Sequence, residues 1–159
     1  LLNNPTPVPA GIYLFVSLDG AQTWKTIGKI NGDQSVQAFN PSITILENGN
    51  IAISYYDFRN HTLNPDTTLP LETDRCLDIF WYDEKHNTVT LVKEKRITET
   101  SFDFRKAVPL IGGNQTPAGY FLGDYMGMQY HCGKIYNAYG IANNDPNNQS
   151  DIYSSTVTL

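Results

Sequence analysis

Hydrophobic and polar residues along this chain of 159 residues alternate with a period of two or gather in short apolar runs, and the helical period is nearly absent. Residues 12–16 predict a strand that ends in the turn Ser17-Leu18-Asp19-Gly20. Residues 42–46 and 51–56 predict a hairpin across Glu47-Asn48-Gly49-Asn50, where Asn-Gly supplies the positive φ angles of a tight turn. Residues 77–82 and 89–93 flank a further turn at 83–87, and 125–130, 135–139 and 152–157 predict three more strands. The stretches 60–75 and 98–122 carry Pro, Asn, Thr and Gly and read as long loops, a length that is uncommon unless the loop is functional.

The predicted strands repeat. Ile12-Tyr13, Ile79-Phe80 and Ile152-Tyr153 each open an apolar run, the last two after an aspartate, Asp78 and Asp151. A shift of 67 residues lays Ile12-Tyr13 on Ile79-Phe80 and Lys29-Ile30 on Arg96-Ile97. A shift of 84 lays Gly49-Asn50-Ile51 on Gly133-Lys134-Ile135 and Ser54-Tyr55 on Ala138-Tyr139. Repeats of four short antiparallel strands, roughly 40–50 residues each, suggest propeller blades. A blade buries its apolar side chains only with a neighbour on each side.

Ser17-Leu18-Asp19-Gly20-Ala21-Gln22-Thr23-Trp24 resembles the Asp-box of sialidases and related propellers, Ser/Thr-x-Asp-x-Gly-x-Thr-Trp, which in that family lies between a blade's third and fourth strands. Here Gly20 stands one place early and Ala21 fills the glycine position. Ser17, Asp19, Gly20, Thr23 and Trp24 are expected to form a folding device: the carboxylate accepts turn amides, the hydroxyls add local hydrogen bonds, and the indole packs back over the hairpin. The resemblance to bacterial Asp-box repeat proteins continues through Phe39-Asn40-Pro41-Ser42-Ile43, residues 49–59, Arg96-Ile97-Thr98, residues 121–127 and Ser150-Asp151-Ile152-Tyr153. It implies an all-β partial propeller of about three four-stranded blades: residues 11–31 end one blade, 39–98 form a second, 99–122 are a long loop, and 123–159 close the ring. Two departures stand out. The second blade has a degenerate turn, Asp83-Glu84-Lys85-His86-Asn87, and the last has Ile141 and Asn143 where the aligned blade has Asp57 and Arg59.

Composition narrows the function classes. Ten Tyr and seven Phe against two Met favour strands, and a formal charge of −5 with no Lys/Arg run longer than two speaks against nucleic acid or an anionic membrane as partner. No apolar run approaches the roughly 20 residues of a membrane span, and no signal peptide is recognisable. The start at Leu1-Leu2, without Met, reads as a processed product or a piece of something longer. Sequons at Asn60, Asn114 and Asn148 suggest a secreted or cell-surface setting. Cys76 and Cys132 allow one disulfide or two free thiols.

Family chemistry of the sialidase type implies three arginines around a carboxylate, a Tyr/Glu nucleophile pair and an acid/base Asp. The chain has four arginines, Arg59, Arg75, Arg96 and Arg105, and lacks the Arg-Ile-Pro motif of the first, so it holds no complete set. Tyr56, Asp57 and Arg59 are the catalytic candidates; Asp57 and Arg59 alternate in phase and share a face, where they either serve chemistry or pin neighbouring blades by a salt bridge. Asp103 and Arg105, with Asp124 and Tyr125, are candidate binding residues, Asp124 aligning with Asn40 as a strand cap. His61, His86 and His131 lack metal-ligand spacing, so no metal site is expected; the oxygen-rich run 145–151 has some calcium-ligand character without a recognised loop. Too few blades are present to close a ring, so the remaining blades are expected on a cleaved or missing segment or on a second copy. The implied function is glycan-directed: a sialidase-type glycosidase completed by missing blades, or a non-catalytic propeller that binds glycan or protein.

Overall fold

In a computed structural model, the structure describes residues 8–61, 70–113 and 117–159. It is all-β apart from one 3-10 turn, Phe104–Lys106, and its antiparallel sheets are open, none closing on itself. Strands β1 (Tyr13–Val16) and β2 (Lys25–Lys29) pair as a hairpin. Strands β3 (Ala38–Ile45), β4 (Ile51–Asp57), β5 (Glu72–Asp83) and β6 (Thr88–Arg96) follow in spatial order, with β7 (Phe102–Asp103) added on the start of β5. Strands β8 (Val108–Ile111) and β9 (Pro117–Phe121) form a separate hairpin. Strands β10 (Gly127–His131), β11 (Lys134–Asp145) and β12 (Asn148–Thr158) make the last sheet.

The middle sheet is the centre of the packing, and β4 shows why. Every residue of Ile51–Asp57 is buried, so the strand is covered on both faces. Ile51, Ile53 and Tyr55, with Cys76 and Phe80 from β5, pack against Ile12, Leu14 and Ile30 of the first hairpin. Ala52 and Tyr56, with Leu77 and Ile79, pack against Ile135, Tyr139 and Val157 of the last sheet. Alternation along β4 and β5 thus sends successive side chains into two different cores.

Four expectations need correction. Among the described residues the sheets hold two, four (plus β7), two and three strands, so only the middle one has a full four-stranded unit. The stretch 98–122 is not one loop: it carries β7, the 3-10 turn and the β8–β9 hairpin, and β5 already begins at Glu72 within the other predicted loop. The outer strands are equivalent at the shift of 67, because Lys29 pairs with Tyr13 and Arg96 with Cys76. Those same pairs place Tyr13 on Cys76, so Ile12-Tyr13 is out of register with Ile79-Phe80; the two hairpin turns differ in length, and sequence matching cannot see which strand absorbs the difference. Likewise Asp151 lies opposite Ile141 as Asp74 lies opposite Asp57, so Asp151 is the counterpart of Asp74 and not of Asp78.

The turn between β1 and β2 is organised by Asp19. Its Oδ1 accepts from the Gln22 and Thr23 amides and the Ser17 hydroxyl, its Oδ2 accepts from the Thr23 hydroxyl at 2.6 Å, and the Ala21 amide donates to Ser17 Oγ. The Thr23 hydroxyl, then the Thr23 amide and Ser17, hold this carboxyl down at about 2. Its stabilising contribution is present at neutral pH and is lost as pH falls below the unfolded value toward that figure. Trp24 does not pack down as expected; it is 60% exposed. Both Gly20 (φ 71°) and Ala21 (φ 69°) are left-handed. Alanine is strained there, so Ala21→Gly is expected to raise stability by about 0.5–1 kcal/mol, read as an increase in Tm.

Candidate functional site

The predicted pair Asp57 and Arg59 sits where the first hairpin meets the middle sheet. Asp57 ends β4 fully buried, and Arg59, just past the strand, returns to it with Nε 2.6 Å from Oδ2. The guanidinium also pairs with Glu94 on β6 and donates from Nη2 to the Tyr55 hydroxyl at 2.9 Å. That hydroxyl donates in turn to Asp78 Oδ2 at 2.5 Å and accepts from the Gly32 amide of the neighbouring segment at 2.9 Å. A methyl at Gly32 would stand 3.0 Å from Glu94 and 3.4 Å from both Nη atoms, so the glycine makes room for the ion pair. Burial pushes the Asp57 and Asp78 carboxyls above their usual range, with Arg59 opposing the rise at both and the Tyr55 hydrogen bond opposing it at Asp78. Burial also raises the Tyr55 phenol, and its bond to Asp78 adds to the rise.

Tyr56 points the other way, into the junction with the last sheet. Its hydroxyl donates to the Gly140 carbonyl at 2.7 Å, and its ring stacks on Phe39 at 5.3 Å. Arg75 lies 4.6 Å from the centre of that ring, fully buried, and donates to the Asn40 carbonyl at 2.8 Å and the Ser54 hydroxyl at 2.7 Å. Asn40 and Ser42 extend to the Gly123 and Met126 carbonyls. Burial raises the Tyr56 phenol and presses Arg75 down to about 10. Tyr56 and Asp57 therefore occupy opposite faces of β4 and form no phenol–carboxylate dyad. The dyad present, Tyr55 with Asp78, was not singled out from sequence, although both lie on strands whose alternation assigns them one face.

A third polar cluster, also unanticipated, surrounds Asp74. Arg96, Thr98, Ser101 and Asn60 all donate to its buried carboxylate. Burial opposes the charge, but these donors together hold the carboxyl below its usual value. The Asn60 amide nitrogen is taken by Asp74 at 2.6 Å, so a glycan at that sequon would compete with the cluster. The sequon at Asn114 lies outside the described residues, and the Asn148 amide donates to Asp151 at 2.7 Å.

The predicted binding residues lie on two separate segments. Asp103 caps the 3-10 turn, accepting from the Arg105 and Leu71 amides, while Phe104 between Asp103 and Arg105 joins an aromatic group with Phe39, Phe58 and Tyr120. Asp124 and Tyr125 lie in the segment before β10, both exposed, Tyr125 at 93%. In the run 145–151, the side chains of Asn143 and Asn148 donate to Asp151 and Asp145 accepts from the Asn147 amide. Both cysteines are free. Cys76 is buried, its thiol pushed up to about 12 by burial, whereas Cys132 is exposed with Sγ 3.1 Å from His131 Nε2. A disulfide reagent on native protein is expected to label Cys132 alone, Cys76 reacting only after denaturant is added.

Open space lies at the second junction, between the segment after β6 and the face of β11 and β12, with smaller hollows of about 160 Å³ beside the first hairpin. The space at the second junction is a groove of about 410 Å³ lined by Thr98, Glu99, Tyr139, Ile141, Tyr153 and neighbouring serines. The Tyr139 and Tyr153 rings stack with centroids 6.4 Å apart, and Glu99 is exposed at the rim. No helix among the described residues is long and apolar enough to cross a membrane. No protein-family model, curated protein or solved structure matches this chain.

Proposed function

We propose that the chain is part of a sialidase-like Asp-box propeller that binds a protein or glycan ligand and does not itself carry the catalytic residues of a glycosidase. The observation that carries this reading is the complete burial of Tyr56 and Asp57 on opposite faces of β4. A nucleophile must reach its substrate and ionise readily. Tyr56 is sealed between two sheets with its phenol raised, and Asp57 is closed off by Arg59. The candidate residues hold sheets together, and the groove at the second junction offers a place for a ligand. Further blades belong to the same reading, since among the described residues β10–β12 has no counterpart of β6, and Ile43 and Ile45, on the face turned to the first hairpin, remain exposed together with Ile152.

The test is turnover of a fluorogenic sialoside by the intact protein that contains this chain. No turnover is expected; turnover lost in an Asp57→Asn variant of unchanged stability would overturn the reading. Native mass of the same material, compared with its denatured mass, is expected to reveal a second polypeptide or a second copy.

A further inference from the structure

The two junctions are built from corresponding positions, and the place that Arg59 takes at the first is open at the second. The shift of 84 lays Tyr139 on Tyr55, and since Tyr55 opposes Cys76 on β5 and Tyr139 opposes Tyr153 on β12, Tyr153 stands where the first junction has Cys76. The same pairing places Ser155 on Asp78, since Ile53 opposes Asp78 and Asn137 opposes Ser155. Ile30 and Ile97 are equivalent as well: Ile30 donates to the Ile12 carbonyl and Ile97 to the Arg75 carbonyl, each residue standing just past the outer strand. The next residues repeat the likeness, Asn31 Oδ1 accepting from the Ile12 amide and Thr98 Oγ1 from the Arg75 amide. Glu99 therefore occupies the position of Gly32.

At the first junction the Arg59 guanidinium packs against the hydrogen-bonded Tyr55 hydroxyl and Gly32, 5.9 Å from the Tyr55 ring centre. At the second, position 143 is Asn, whose amide is taken by Asp151, and the space between Tyr139 and Glu99 is the groove of about 410 Å³. Beside it Asn137, 3% exposed and on the face of Tyr139, has no hydrogen-bond partner for either amide atom. The second junction thus keeps the phenol, adds a stacked Tyr153 and supplies a carboxylate, with Asn143 in place of Arg59; its own cation, Arg75, is spent on the Asn40 carbonyl, the Ser54 hydroxyl and the Tyr56 ring.

We propose that the groove takes the guanidinium of an arginine side chain presented by a partner protein, lying on the Tyr139 and Tyr153 rings with Glu99 as counter-charge. This rests on the binding reading above and names its ligand. A planar guanidinium stacks on aromatic rings and pairs with a carboxylate at once, which a neutral sugar or a compact ammonium does less well. The formal charge of −5 on the chain favours the approach of a basic partner.

The experiment is a titration of the whole chain with the peptide Gly-Arg-Gly, followed through NMR resonances of the groove residues, beside the isosteric Gly-citrulline-Gly and a neutral oligosaccharide. Gly-Arg-Gly is expected to bind at least about threefold more tightly than its citrulline isostere, and Glu99→Gln to abolish that preference. Glu99 is exposed, so this variant keeps the fold, and unchanged dispersion of the spectrum verifies it. Tyr153→Ala is expected to weaken arginine binding by about tenfold. Equal affinity for arginine and citrulline, or shifts away from the groove, would overturn the proposal. Oligosaccharide binding in the groove without arginine binding would also overturn it while leaving the non-catalytic reading intact, and sialoside turnover would strike that reading alone.

Discussion

Arg75→Ala is expected to lower the unfolding free energy by about 4 kcal/mol, whereas Arg75→Met should lose only about 1–2 kcal/mol, both read from urea midpoints. Arg75 is fully buried, and no carboxylate pairs with it among the described residues. Its charge is carried by the Asn40 carbonyl, the Ser54 hydroxyl and the Tyr56 ring, and Nε has no partner. Alanine empties the volume between the middle and last sheets and leaves two buried acceptors unmade. Methionine strands the same acceptors but refills the space and removes a guanidinium that burial already depresses to about 10. Arg75→Lys should fall nearer the alanine value, because one ammonium cannot span the Asn40 and Ser54 oxygens as the planar fork does. Equal losses for Ala and Met would mean that the hydrogen bonds, and not the packed volume, hold this junction.

That Arg75 matters so much was not visible in its surroundings along the chain, Thr73-Asp74-Arg75-Cys76, which read as the end of a loop. Strand signals are read from apolar alternation, and here a buried strand begins with polar side chains satisfied by neighbouring strands. The same blindness hid Asp74 and Asp78, whose partners come from segments 14 to 27 residues away. The hairpin of β3 and β4 was legible because Asn48-Gly49 and the apolar run of β4 agree with one another. The turn at Asp19 was legible for a similar reason, since all its hydrogen bonds close within five residues. Register between repeats was not, because an apolar strand offers several matches and only pairing distinguishes them. The groove at the second junction was half written in the sequence: the replacement of Asp57 and Arg59 by Ile141 and Asn143 could be seen, but not the space beside it.

Arg59→Ala is expected to cost about 3–4 kcal/mol at pH 7, with a deficit that narrows as the pH is lowered toward 5. The arginine is the cation facing buried Asp57, and Glu94, Asp78 and Asp33 surround it from β6, β5 and the segment after β2. Without it the Asp57 carboxylate remains buried beside other acids. Its pKa already lies above the unfolded value through burial, so ionised Asp57 opposes folding at neutral pH. That opposition is absent below the unfolded value and grows as pH rises through the folded one. Removing Arg59 raises the folded pKa further, enlarging the penalty at pH 7 and leaving less of it at pH 5. Adding Asp57→Asn to Arg59→Ala should recover most of the loss at pH 7, because the uncompensated charge and not the missing side chain is the main cost. Amide exchange at Gly32, whose N–H donates to Tyr55, should quicken in the single variant as the first hairpin loosens from the middle sheet. A deficit independent of pH, with Gly32 still protected, would show that Arg59 contributes packing alone. The pair would then be released from its role of holding the two sheets, and its place in chemistry would have to be argued again from the beginning.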